Sequence, residues 1–327
     1  MNFKKYQNVG LSGLSNLGNT CFVNACIQIL FHTYEIWEYF EKLPLNEEHI
    51  LIKELADLKN VLWSKQCVVS PNRFISVLHD FSLKKGNETF SDFSQNDASE
   101  FLLFLFETMH SCFPKFKTRV KFESGNDISS ICRNHISTLI KEGDFSFINN
   151  MFYGLKASVI VNKTKITNIK PEDFFLIHLP IPDKNEPTIE ECFDLYLKDE
   201  LLEGENGIIN TETQEYEDIT KKTIICKFPE ILIVDLQRFN SSTNLKKKQN
   251  MIHYKETLDL TKYSSDTYRY EIYGVINHSG SIYGGHYTCY IKNQNEKWYH
   301  YNDTNVKECS AREICSTRAY CLFYRRI

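Results

Sequence analysis

The sequence has no surplus of positive charge, no long apolar run and no closely paired cysteines, and each absence removes a class of function. Its 327 residues carry 38 Lys and Arg against 42 Asp and Glu, a formal net charge of −4, with a pI near 6.2. Nucleic-acid binders ordinarily show a basic surplus, so no nucleic-acid partner is expected. The longest apolar stretch, F-L-L-F-L-F at 101–106, is far shorter than the ~20 residues that span a bilayer, and no membrane association is expected. The opening M-N-F-K-K-Y-Q-N-V-G lacks the apolar run that secretion needs. Cysteines stand at 21, 26, 67, 112, 132, 192, 226, 289, 309, 315 and 321. None forms a C-x-x-C pair, which argues against a zinc site built on cysteine pairs; no metal and no cofactor is expected. The odd count without a secretory start points to reduced thiols in a cytoplasmic or nuclear setting, not a secreted one. No internal repeat or low-complexity tract is present.

What is there is enough apolar material for a sizeable core: 42% of residues are hydrophobic, and the length suits one large domain or two ordinary ones. Apolar residues at helical spacing predict helices over 21–42, 47–64 and 96–112. After residue 150 the character changes. Runs rich in β-branched and aromatic residues at 157–161, 174–179, 231–236, 270–276 and 286–292 predict strands. The polar segment 203–222 reads as a loop or weak hairpin. The pattern is α+β, helices first and an antiparallel sheet later.

The chemistry begins at N-L-G-N-T-C, residues 16–21, which a helix follows at once. Gly18 permits a tight turn, and Asn19 or Thr20 can cap the helix. Cys21 would then sit at the positive end of a helix dipole, where the thiolate is favoured. Alone it would read as an ordinary buried cysteine; the turn, the cap and a partner downstream reverse that. Asn16 is either a turn-former or an amide donor to the oxyanion of a thioester-forming intermediate, a role worth roughly 10²–10³ in turnover.

The partner lies in G-G-H-Y (284–287) and W-Y-H-Y-N-D (298–303). Gly284 and Gly285 give the loop freedom and let a ligand backbone pass closely. His286 opens a strand, and Asn302 follows after a turn at N-Q-N-E (293–296), a spacing that lets a hairpin place the two side by side. A cysteine nucleophile needs a base, and the base needs a third group to fix its tautomer. The order Cys, His, Asn matches that of papain-like proteases. His178 and His300 read as structural.

These segments carry a family resemblance. G-L-S-N-L-G-N-T-C-F-V-N-A-C-I-Q (13–28) resembles the Cys box of the ubiquitin-specific proteases, and Y-G-V-I-N-H-S-G-S-I-Y-G-G-H-Y-T-C-Y (273–290) with W-Y-H-Y-N-D resembles their His box. Q-N-D-A-S-E-F (95–101), L-P-I-P (179–182) and P-E-I-L-I-V-D-L-Q-R-F (229–239) are similar to further landmarks. They fall in family order along nearly the whole chain. The resemblance implies a papain-like hand, with a helical thumb, an antiparallel β palm and β fingers that hold ubiquitin. The expected division is a tail at 1–9 and one catalytic domain at 10–327, with the thumb at about 10–145 and the palm and fingers beyond.

The implied activity is that of a cysteine-type deubiquitinase, hydrolysing the bond after the C-terminal Gly-Gly of ubiquitin. Ubiquitin and ubiquitinated proteins are the implied partners, and a monomer is expected. Cys21 would be the nucleophile, His286 the base, Asn302 the third triad member and Asn16 the oxyanion donor, with Asp303 supporting or sharing the role of Asn302. Gly284, Gly285 and Tyr287 would line a narrow slot for the ubiquitin tail. Gln95 would bond its backbone, and Asp97 and Glu100 would pair with its arginines; without the resemblance, 95–100 is only a polar helix cap. Many family members hold zinc at the fingertips with two C-x-x-C pairs. Their absence implies fingers that are shortened or held by packing.

Competing readings are a papain-like protease or acyl transferase of another family, a protease for a ubiquitin-like modifier, and an inactive ubiquitin-binding scaffold. The run Lys246-Lys247-Lys248 reads as a solvated loop near the substrate or a weak nuclear signal.

Overall fold

The computed structural model describes residues 3–43, 49–210, 213–239 and 247–327. Its helices are α1 (Cys21–Phe31), α2 (Tyr34–Phe40), α3 (Ile50–Ser64), α4 (Asn72–Lys84), α5 (Ala98–Cys112), α6 (Ile128–Glu142), α7 (Phe147–Phe152) and α8 (Ile189–Tyr196). Short strands β1 (Gly13–Leu14) and β2 (Val68–Val69) pair within the helical region. The later strands are β3 (Gly154–Asn162), β4 (Lys165–Phe174), β5 (Ile177–Pro180), β6 (Glu200–Leu202), β7 (Ile208–Ile209), β8 (Tyr216–Glu217), β9 (Ile219–Lys227), β10 (Ile231–Gln237), β11 (Thr257–Asp259), β12 (Arg269–Ser281), β13 (Gly284–Lys292), β14 (Trp298–Asn302), β15 (Asn305–Cys309) and β16 (Ala319–Arg326).

The palm is the sheet β15-β14-β13-β12-β16-β10-β5, with β11 on β12. All its pairs are antiparallel except β5 with β10. The unbroken apolar run of β10 has a direct cause. Ile231 and Ile233 face the core shared with the helices, while Leu232, Val234 and Leu236 face a second core under α8. A strand buried on both faces reads as continuous rather than alternating. β16 repeats this, with Cys321 and Phe323 on one side and Leu322 and Tyr324 on the other.

The fingers are the sheet β4-β3-β9-β6. β3 and β4 join through a tight turn in which Lys163 takes a positive φ of 56°. α6 lies on this sheet, where Cys132 packs with Leu155, Ala157 and Val159, and partly buried Ile136, Ile169 and Ile224 close the cluster. The fingers are thus held by packing. The helix that does this falls within 10–145 but packs on the fingers, not on the thumb.

The expected helix 21–42 is two helices. Its break follows from side chains that take the last carbonyls of α1: His32 Nδ1 lies 2.8 Å from Gln28 O, Thr33 Oγ1 donates to Ile29 O at 3.0 Å, and Trp37 Nε1 donates to Leu30 O at 2.8 Å. The expected strand 174–179 is also two, because the chain crosses there from the finger sheet (β4) to the palm (β5). The 203–222 segment does hold a small hairpin, β7 with β8, and its end is the start of β9. Residues 3–9 are docked on the domain: Tyr6 is buried and stacks on Tyr34 at 4.6 Å, and Asn8 N donates to Asn293 Oδ1 at 3.0 Å. Among the described residues, no helix is long and apolar enough to cross a membrane.

One largely buried ion pair ties the last strand to the thumb. Arg325 Nε on β16 lies 2.6 Å from Glu35 Oε1 on α2, and its guanidinium sits 4.4 Å from the centre of the Tyr273 ring. Removing one partner of a buried pair strands the other's charge, at a cost of about 3–5 kcal/mol. Glu35→Ala is therefore expected to lower stability by roughly that amount in urea titration. A change within about 0.5 kcal/mol, the usual scatter for a surface site, would show that the pair holds nothing.

Candidate active site

The loop from β1 into α1 is folded around one side chain. Asn16 Oδ1 accepts from Gly18 N at 3.0 Å, Thr20 N at 3.2 Å and Thr20 Oγ1 at 3.3 Å. Gly18 and Asn19 take positive φ values of 101° and 56°, the left-handed conformation that Gly and Asn tolerate best. With its oxygen pinned by three donors, the Asn16 amide cannot flip. Its Nδ2 donates one hydrogen to Asp303 Oδ2 at 3.1 Å, which leaves the second hydrogen of the amide free. The expected side-chain cap is not made. Thr20 is the N-cap residue, but its hydroxyl turns back into the loop and accepts from Leu17 N at 2.9 Å.

Cys21 opens α1 and is buried, 4% exposed. The expectation of a depressed thiol pKa is overturned. Burial pushes the thiol above its ordinary value and the nearby Asp303 charge adds to this. Backbone N–H groups of Tyr287, Phe22 and Cys21 pull the other way and do not prevail. In the free protein desolvation of the thiolate outweighs the helix terminus.

His286 and Asn302 meet as the hairpin spacing implied. Cys289 on β13 pairs with Tyr301 on β14, so Asn302 is the diagonal neighbour of His286. His286 Nε2 lies 2.8 Å from Asn302 Oδ1. An amide oxygen only accepts, so Nε2 carries the proton and Nδ1 is left with the lone pair that a base needs.

Asp303 completes the group through a backbone irregularity. Successive strand residues face opposite ways, but β14 ends at Asn302 and Asp303 takes a positive φ of 49°. Its carboxylate turns back toward the site, with Oδ2 4.0 Å from His286 Nε2. Oδ1 accepts from Asn24 Nδ2 at 2.8 Å. The carboxylate thus joins the Cys loop, α1 and the His hairpin. Asn24 was missed in the sequence. It is buried, 3% exposed, one turn after Cys21 on the same helix face. A polar residue within the apolar run F-V-N-A-C was the signal.

Beside these residues runs a groove of about 300 Å³, walled by Gln95, Asn96, Asp97 and Glu100 on one side and by residues 281–285 on the other, with His278 and Tyr287 also lining it. Gln95 bridges the walls, accepting from Gly285 N at 2.7 Å and donating to Asn19 Oδ1 at 3.0 Å. Both glycines are required by the protein itself: Gly284 takes a φ of 155°, which L side chains rarely adopt, and a Cβ at Gly285 would strike the backbone oxygen of Ser279. Asp97 is fully engaged. Its Oδ1 caps α5, accepting from Ser99 N and Glu100 N, and its Oδ2 accepts from Tyr320 OH at 2.5 Å and Tyr287 OH at 3.4 Å. Glu100 is exposed.

The lysine run is not a solvated loop where it is described. Lys247 is buried, 9% exposed, and its Nζ donates to His278 O at 2.5 Å and lies 3.1 Å from His278 Nδ1. Burial pushes this lysine down to about 8, and burial with the Lys247 charge holds His278 at about 4. Lys248 Nζ donates to Ile181 O at 2.7 Å. Lys246 lies outside the described residues.

The geometry assigns Asn302 and Asp303 to one unit. Asn302→Ala should lower kcat by roughly 10²-fold, the scale of a positioned catalytic hydrogen-bond group. Asp303→Ala should have a comparable or smaller effect, and the double variant should lose less than the product of the two, because residues acting as a unit are not additive. Multiplicative losses, or a neutral Asn302→Ala, would contradict this arrangement.

The family model described as ubiquitin carboxyl-terminal hydrolase matches residues 12–324. Ubiquitin carboxyl-terminal hydrolase Usp2 of Drosophila melanogaster is 31% identical over 97% of this chain and 35% of its own length. Human ubiquitin carboxyl-terminal hydrolase 2 is 30% identical over 99% of this chain and 56% of its own length. The chain thus spans between about a third and just over half of these relatives. Among solved structures, a complex described as "Structure of the SAGA Ubp8/Sgf11/Sus1/Sgf73 DUB module bound to ubiquitin aldehyde" superimposes with a TM-score of 0.74 at 24% identity, covering 98% of this chain and 70% of that chain. This shared fold is the papain-like hand of thumb, palm and fingers. From the match over 12–324, the chain belongs to the ubiquitin carboxyl-terminal hydrolase family.

Proposed function

We propose that this chain is a cysteine-type deubiquitinase that cleaves the peptide or isopeptide bond after the C-terminal Gly-Gly of ubiquitin. The observation that carries this reading is the convergence of Cys21, His286, Asn302, Asn16 and Asp303 beside a groove with a glycine-bearing wall. His286 Nδ1 takes the thiol proton while Asn302 holds Nε2–H. The sulfur attacks the glycine carbonyl, and the free hydrogen of the Asn16 amide receives the oxyanion. His286 returns the proton to the leaving amine, giving a thioester that water then hydrolyses. A thiol pushed above its ordinary value by burial suits this order, with proton transfer accompanying attack.

The Gly-Gly tail lies in the groove beside Gly284, Gly285 and Tyr287, and Gln95 meets its backbone. Of the two carboxylates, Glu100 is the one free to pair with a tail arginine; Asp97 shapes the wall through its cap and tyrosine bonds. The solved Ubp8 modules support ubiquitin as the partner, being described as bound to monoubiquitin and to ubiquitin aldehyde. The proposal places the catalytic unit, with reduced thiols, in the cytoplasm or nucleus, on the grounds of its odd cysteine count and free cysteines.

A ubiquitin bearing a C-terminal electrophile is expected to label Cys21 in the wild-type protein. Cys21→Ala should escape labelling yet still bind ubiquitin, and Glu100→Lys should raise KM while sparing kcat. Matching probes of ubiquitin-like modifiers, run beside it, should label more slowly. Labelling by such a modifier alone would replace ubiquitin as substrate, and no labelling would revive the inactive scaffold.

A further inference from the structure

The segment 115–122, K-F-K-T-R-V-K-F, alternates cationic with apolar or small residues and lies apart from the residues assigned above. It runs irregularly from the end of α5 toward α6. With the last turn of α6 it borders an open groove of about 690 Å³, lined by Lys115, Lys117, Arg119 and Lys141, by apolar Val120, Phe122 and Ile140, and by Glu142.

The charges here are unbalanced. Lys115 is tied inward, its Nζ donating to His110 O at 2.5 Å. Two nearby acids are spent, Asp144 lying 2.9 Å from His110 Nε2 and Glu123 pairing with Arg133 at 2.5 Å, and exposed Glu142 on the rim offsets only one of the cations. Lys117, Arg119 and Lys121 are exposed and make no ion pair among the described residues. Lys141 Nζ only overlies the Phe122 ring, at 5.7 Å, and Phe122 is itself 51% exposed. The backbone of 117–120 makes no hydrogen bond among the described residues. On a chain of net charge −4, this is a concentrated cationic strip with apolar contacts and open backbone donors and acceptors.

We propose that this groove docks an acidic peptide segment of a partner protein, laid along 117–121. Acidic side chains pair with Lys117, Arg119, Lys121 and Lys141, apolar ones seat on Val120, Phe122 and Ile140, and the open backbone groups add main-chain hydrogen bonds. The charge match steers the encounter. A peptide is favoured over a nucleic acid because an extended main chain offers donors and acceptors in alternation to the open N–H and C=O groups of 117–120, and its apolar side chains match Val120, Phe122 and Ile140.

The test is fluorescence anisotropy with a labelled peptide alternating Glu and Val, on the full chain. Binding is expected that weakens with added salt. The triple variant Lys117→Glu, Arg119→Glu, Lys121→Glu should lose about tenfold or more in affinity, the sum of three modest ion pairs, with its circular dichroism unchanged. Phe122→Ser should weaken this peptide but leave binding of polyglutamate unaltered. The proposal is overturned if wild type does not bind the peptide, or if the triple variant binds equally well. It is also overturned if oligouridylate, or vesicles of phosphatidylserine and phosphatidylcholine, bind this strip more tightly than the peptide does.

Discussion

The Asp303 carboxylate is the junction on which the site depends. It receives Asn24 from α1 and Asn16 from the preceding loop, and approaches His286 on the palm. The backbone reinforces the same junction: Leu14 N donates to Asp303 O at 2.9 Å, and a Cβ at Gly13 would collide with the backbone of Thr304. Cys21 and His286 arrive on separate layers, one helical and one sheet. Their alignment therefore rests on a close contact between β1 and the turn after β14, and a side chain at position 13 would push the two apart.

That junction has a chemical cost. A carboxylate beside a buried thiol opposes the thiolate, and burial opposes it further. The helix start and three backbone N–H groups do not offset this in the free protein. Both influences push the Cys21 thiol above its ordinary value in the free protein. Asn302 sets the imidazole tautomer through its amide oxygen, and the Asp303 carboxylate, 4.0 Å from the same nitrogen, adds the charge that the amide lacks.

Much of this was legible in the sequence, for physical reasons. The Cys loop, its glycine turn and the β13–β14 spacing are local features, so Cys21, His286 and Asn302 could be placed from order and distance along the chain. Helices α4, α6, α7 and α8 fall outside the expected helices, although α6 runs from an Asp127 N-cap to a left-handed Gly143. Its apolar face meets only the small finger core, and its polar content hid the period. Asn24 and the ties of Lys247 come from contacts between residues distant in sequence, as do the occupied oxygens of Asp97. No window of sequence shows that a charged side chain has already found its partners. The thiol pKa was misjudged for a related reason: the helix terminus is written locally, whereas burial is a property of the assembled core.

The state of the Cys21 thiol under the influence of Asp303 is the most direct point of test. The pH dependence of iodoacetamide alkylation, followed on the Cys21 peptide by mass spectrometry in the free protein, measures it. For wild type, alkylation should climb only as pH rises past the ordinary thiol value of 9.0. Asp303→Asn, which removes the opposing charge and keeps a side chain that tolerates positive φ, should move the climb to lower pH. A high, flat reactivity through neutral pH that Asp303→Asn leaves unchanged would contradict the account, because it would mean a thiolate already formed and a carboxylate without influence on it.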